Sequence, residues 1–163
     1  MDEKVKKRRI RNILLIAGTL AVIAVIILII WLVDKYDVTT THHIGEEVEY
    51  GKAIVTVDGV EFTREYGEEI AKEGAVYAKV YITVSGSVNL LELQVAGGDR
   101  VASSGGTFGG ESYAAAPEGD ANSGKYELVF LAVENADSYL FIGEKDRVFL
   151  GTAIVLHPLS TAS

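Results

Sequence analysis

The reactive side chains of this sequence come largely as adjacent pairs, an arrangement that suits little chemistry. His42-His43 offers two imidazoles. Neighbours in an extended segment point to opposite sides of the chain, and no third ligand stands close by, so no metal site is expected there. The third histidine, His157, precedes Pro158 near the end of the chain. Glu46-Glu47 and Glu68-Glu69 pair carboxylates as acid/base catalysis does, yet side-by-side carboxylates ordinarily face solvent and nothing nearby would lift one pKa. Ser103-Ser104 lies among glycines without a Gly-x-Ser-x-Gly elbow. The run Gly105–Gly110 lacks the Lys and Ser/Thr of a phosphate-binding loop. Gly97-Gly98-Asp99 lacks the spaced oxygen ligands of a calcium loop. The absence of cysteine removes thiolate catalysis, cysteine-ligated zinc and iron–sulfur clusters. No catalytic residue, cofactor or small-molecule substrate is expected, and the chain reads as non-enzymatic.

The elements that would carry these residues begin with an apolar run. Ile13 to Val33 holds 21 residues without a charge. At 1.5 Å rise per residue, about 20 apolar residues cross a hydrocarbon core of roughly 30 Å. The run exceeds the 7–15 residues usual in a cleaved signal, and Trp31-Leu32-Val33-Asp34 offers no Ala-x-Ala cleavage site, so it reads as a retained transmembrane anchor. Residues 1–12 carry six basic and two acidic groups, which places this tail in the cytoplasm and the rest of the chain outside. Trp31 and Tyr36 would sit at the outer interface. On one helical face, Ala17, Gly18, Ala21 and Ala24 would allow close packing of another helix.

Beyond the anchor, residues 36–163 hold 20 acidic and 8 basic groups, a net charge of −12. That balance repels nucleic acid and anionic lipid head groups and reads first as a means of keeping copies of the domain apart in solution, the alternative being attraction to cations or to a basic partner. Without disulfides, the domain relies on its core alone. No Asn-x-Ser/Thr acceptor occurs.

Residues 34–45 read as a stalk. From residue 46 to 158 the pattern is that of strands, and 159–163 form a short tail. In Ala75–Ser85, Val76, Ala78, Val80, Ile82 and Val84 alternate with Tyr77, Lys79, Tyr81 and Thr83, which marks a strand with one face in the core. Gly124–Glu134 alternates too but is apolar on both faces, as a central strand would be. Further strands are expected at Glu46–Tyr50, Ala53–Arg64, Leu90–Val95, Arg100–Ser103, Ser138–Ile142 and Arg147–Leu156, separated by turn signals; Asp58-Gly59 marks a hairpin or bulge within the second. Tyr66–Glu73 leans helical. Seven or eight strands at this spacing predict an all-β, immunoglobulin-like two-sheet sandwich.

The order of elements resembles a family of bacterial and archaeal surface domains of unknown function, in which an N-terminal anchor precedes an immunoglobulin-like (telokin-like) sandwich. The resemblance rests on Ile44–Gly51, Ala53–Glu65, Gly74–Ser85 and Lys125–Ala136; the polar ending usual for the middle strand of that family is replaced by Val84-Ser85-Gly86. It implies a membrane-anchored extracytoplasmic module and supplies no catalytic residues. The sequence is also similar to archaeal pilins and archaellum accessory proteins, which join an apolar helix to an outer sandwich. That resemblance implies a surface-filament subunit or accessory protein with the helix as oligomer core, although the prepilin processing site is missing before Ile13.

The glycine-rich tract Ser103–Gly124 reads as a long loop carrying two aromatics, Phe108 and Tyr113. Such rings either anchor a partner or fold back to shield a sheet edge. The sequence as a whole predicts a single-pass membrane protein, with the lipid bilayer and either a cell-envelope protein or a second copy as partners.

Overall fold

The structure is a computed structural model that describes residues 3–35 and 39–155, with side chains for 12–31 and 39–155. Tyr36, His157, Pro158, the tail 159–163 and the side chains of the basic flank 4–11 lie outside the described residues. The chain divides into two units that meet at Val38/Thr39. The first holds helix α1 (Glu3–Lys35). Its segment Asn12–Trp31 is 20 residues long and apolar enough to cross a membrane, and every side chain in it is exposed. The one hydroxyl in that segment, Thr19 Oγ1, donates to the Leu15 carbonyl four residues back at 2.8 Å, which satisfies it within the helix.

The second unit is built from short strands: β1 (Thr40–His42), β2 (Glu47–Tyr50), β3 (Ala53–Thr63), β4 (Glu65–Tyr66), β5 (Glu69–Ile70), β6 (Ala75–Ser85), β7 (Val88–Asn89), β8 (Gln94–Val95), β9 (Asp99–Val101), β10 (Gly106–Phe108), β11 (Glu111–Ala115), β12 (Asp120–Ala121), β13 (Gly124–Val133), β14 (Asp137–Ile142) and β15 (Asp146–Thr152). The large sheet runs β10-β11-β13-β6-β3-β2, with β9 also paired to β13; the small sheet runs β1-β15-β14-β8. Two sheets sharing one core make the expected sandwich.

Alternation decides what fills that core. On β6, Val80, Ile82 and Val84 face inward; Leu128 and Phe130 of β13 and Val55 and Val57 of β3 join them from the same sheet. Leu140 and Ile142 of β14 and Val148 and Leu150 of β15 come from the other sheet. The bulge foreseen at Asp58-Gly59 is present: the β3–β6 register shifts between Val57 and Gly59. Inward residues are odd-numbered before it and even-numbered after it (Val60, Phe62), so Asp58, Gly59 and Glu61 are all left on the outer side.

Four expectations are corrected. The segment Tyr66–Glu73 is not helical. Tyr66 pairs with Glu69 around a two-residue turn in which Gly67 takes φ +63°, so the local turn overrides a weak helical pattern. Leu90–Val95 is broken by a 3₁₀ turn, Leu90–Glu92, capped by the Asn89 side chain, which accepts from the Leu91 N–H at 3.1 Å. The stalk 34–45 is in part a strand: Thr40, Thr41 and His42 lie parallel to Asp146, Arg147 and Val148, and the folded unit starts at Thr39 rather than residue 46. Finally, Ser103–Gly124 is not a loop. Phe108 pairs with Glu111 across Gly109-Gly110, both at positive φ (+58° and +84°), which is the turn geometry only glycine adopts freely; β10 and β11 form an ordered hairpin.

Because the core between the sheets is one contiguous cluster with no covalent staple, large-to-small changes at its centre should be severe. Phe130→Ala, at the middle of the long β13–β6 ladder, is expected to lower unfolding free energy by about 3–5 kcal/mol, measured by denaturant titration of the detergent-solubilised chain.

Candidate functional site

The two outer faces of the sandwich differ. That of the large sheet is covered. Tyr77, Val129 and Ala71 are buried in a second apolar cluster, packed with Tyr66, Val101 and Leu131. Next to it, Tyr81 is 1% exposed: the Phe108 ring stacks on it at 4.8 Å between centroids, and Tyr113 meets it edge-on at 5.0 Å. Phe108 can lie so close because Gly59 has no side chain; a Cβ there would fall 2.1 Å from the ring. Neither aromatic is the exposed anchor that the sequence allowed. Tyr113 is 5% exposed and Phe108 half-buried, and both shield the sheet.

Beneath this cover lies a polar network that the sequence reading missed. Glu127, on the outer side of β13, is 2% exposed. Its Oε1 accepts from Ser103 Oγ at 2.8 Å and from the Tyr66 hydroxyl at 3.3 Å. Gly106 passes so near that a Cβ would sit 2.4 Å from Glu127 Oε2. Alongside, Tyr81 donates to Glu61 Oε2 at 3.0 Å, and Asp58 Oδ2 accepts from Thr83 at 2.7 Å and Tyr113 at 3.1 Å. Lys79 pairs with Glu61 at 3.4 Å. An open polar cleft of about 510 Å³ lies over Glu61, Glu65, Lys79 and Glu127. The signal was available: in an alternating strand, Glu127 falls between apolar Val129 and the glycine end, on a face that proved to be covered.

Burial pushes the Tyr81 phenol well above its ordinary value near 10, with the Glu61 hydrogen bond and the Glu61 and Glu127 charges adding to it. Burial raises Tyr77 and Tyr113 as well, helped by Glu69 and Asp58.

Among the described residues, no hairpin covers the outer face of the small sheet. Tyr139 and Phe149, opposite one another on β14 and β15, pack at 5.1 Å. The Arg147 guanidinium lies 4.4 Å from the Tyr139 ring centre, and its Nε donates to Thr41 Oγ1 of β1 at 2.9 Å. Phe141, opposite Arg147, and Gln94 continue the face. All three rings are half-buried, as Phe108 is. Beyond Phe141 the face opens into a cleft of about 880 Å³ whose walls include Tyr50, Glu92, Val95 and Glu144. Tyr50 donates a hydrogen bond to the Glu92 carboxylate, and that bond, with partial burial and the Glu92 and Glu144 charges, raises its pKa.

The paired histidines are separated as strand geometry requires. His42 lies between two carboxylates, with Nε2 at 2.8 Å from Asp146 and Nδ1 at 3.7 Å from Glu46, whereas His43 engages Glu46 through its backbone N–H. Glu68 and Glu69 belong to the β4–β5 hairpin. On α1, nothing lies within 4 Å of where a Cβ on Gly18 would stand.

No protein-family model matches this chain. No curated protein matches it either. Among solved structures, it is similar to an uncharacterized β-sandwich protein from Clostridium difficile 630, at 14% identity and a TM-score of 0.35, over 69% of this chain and 95% of that one.

Removing the buried carboxylate should unpair the hydroxyls of Ser103 and Tyr66. Glu127→Ala is expected to cost about 1–3 kcal/mol of stability and to expose the β10–β11 hairpin to limited proteolysis. Phenols whose folded pKa is raised stabilise the fold fully below pH 10 and lose that contribution as pH climbs through the raised value. The denaturation midpoint should therefore fall above pH 10, and Tyr81→Phe should flatten part of that fall.

Proposed function

We propose that the chain is a membrane-anchored binding module: α1 crosses the bilayer with its basic flank in the cytoplasm, and the sandwich stands outside to bind another cell-envelope protein. The observation that carries this reading is the open face of the small sheet. Aromatic residues and arginine are enriched where proteins contact one another, and here three half-buried rings and Arg147 share one sheet face that no hairpin covers among the described residues. The opposite face is capped by the chain's own hairpins, and its buried carboxylate is engaged by the chain's own hydroxyls, which supports a non-enzymatic role. The apolar helix and sandwich head agree with the resemblance to anchored surface domains.

The runner-up reading is a surface-filament subunit or accessory protein with α1 as the oligomer core. The small side chains of Ala17, Gly18, Ala21 and Ala24 on one helix face would allow close helix approach.

Protease added to intact cells should remove the head and leave a membrane-protected fragment that contains the helix; a fully protected head would refute the orientation. Gly18→Leu should leave the size of the detergent-solubilised protein unchanged if the helix is a lone anchor. Dissociation of a larger assembly by that change would instead establish the filament reading.

A further inference from the structure

We propose that the cleft at the end of the open face receives a lysine or arginine side chain from an extended basic segment of the partner protein. This deepens, and rests on, the binding-module reading. The cleft draws its walls from both sheets: Tyr50 from β2, Phe141 from β14, and Val95 from β8, with Glu92 in the 3₁₀ turn and Glu144 in the turn between β14 and β15. Its charged lining residues are two carboxylates, Glu92 and Glu144. The shape is held in advance. Gly143 sits at φ +71°, and a Cβ there would fall 2.6 Å from the Tyr50 ring, so the ring rests directly on the glycine backbone while its hydroxyl is tied to Glu92.

These features match one kind of occupant. A long cationic side chain combines an aliphatic stem with a charged head. The stem would lie against the Phe141 and Tyr50 rings, and the head would reach Glu92 and Glu144. A bare metal ion or a small amine would leave the rings unused. Phe141 belongs both to the cleft and to the open face, so residues that flank the inserted cation would land on Tyr139 and Phe149. Charge selects the source. A second copy brings a head of net charge −12 and is repelled, whereas a basic segment of another protein is attracted.

The test uses the full chain in detergent and fluorescent ten-residue peptides of alternating Lys-Val, Gln-Val and Glu-Val, with spermidine and calcium chloride as free cations. The Lys-Val peptide should bind, and the Gln-Val and Glu-Val peptides should not. Glu92→Gln with Glu144→Gln should weaken binding at least tenfold, and Phe141→Ala several-fold, while both variants keep the parent melting profile. Glu68→Gln with Glu73→Gln, remote from the cleft, should leave binding unchanged. Absence of Lys-Val binding, equal weakening by the remote pair, or cleft-dependent binding of spermidine or calcium at peptide-like affinity would each overturn the proposal. A photo-crosslinker at Gln94 in native membranes separates this failure from that of the parent reading. An adduct formed equally by the parent chain and by the Glu92/Glu144 double variant would keep the binding module and remove the cationic pocket.

Discussion

Everything in the head depends on β6 being buried on both sides. It is paired along its length with β3 and β13, its inward residues fill the shared core, and its outward tyrosines lie under the chain's own hairpins. A strand enclosed on two edges and two faces has nowhere to move, and in a cysteine-free domain that enclosure substitutes for a covalent staple. Tyr77 and Tyr81 make the second burial workable. Each is large enough to seat a covering element and carries a hydroxyl that a carboxylate satisfies, Glu69 for one and Glu61 for the other.

The cover explains the distribution of glycine. Gly59 admits the Phe108 ring, Gly106 passes over Glu127, and Gly109-Gly110 closes the hairpin that carries Phe108. What composition suggests to be a slack tract is an ordered cover, because Gly106 answers a close approach and Gly109 and Gly110 a turn at positive φ. The carboxylates follow from the same arrangement. Buried Glu127 accepts from Ser103 and Tyr66, and part-buried Asp58 from Tyr113, so they fasten the cover to the sheet.

The long elements were legible in the sequence because their hydrophobic period is unambiguous: β6 spans Ala75–Ser85 as the alternation requires, and the doubly apolar β13 is indeed central. Short elements were not. Tyr66–Glu73 and Thr40–His42 contain too few residues for periodicity to outvote local composition, and their conformation is set by partners distant in sequence. Phe108 and Tyr113 illustrate the same limit. Their types are visible in the sequence, but which way a ring turns depends on Gly59 and Tyr81, some thirty to fifty positions away. The open aromatic face escaped the sequence reading for a related reason. Tyr139, Phe141 and Phe149 alternate with core residues on β14 and β15, and only the absence of a covering hairpin among the described residues distinguishes them from buried rings.

The first strand after the anchor has a mechanical meaning. β1 grips β15 through three residues and a few polar ties, among them Thr40 N–H to the Lys145 carbonyl, His42 to Asp146 and Arg147 to Thr41, and it adds little to the packed interior. Tension applied to the backbone from the N-terminal side would reach this strand before it reaches β2. Peeling it away releases a short length of extended chain, roughly 3.4 Å for each residue freed, while the β3–β6–β13 ladder stays intact. The first strand is therefore separable from the packed interior: its loss would lengthen the chain ahead of β2 without opening the core.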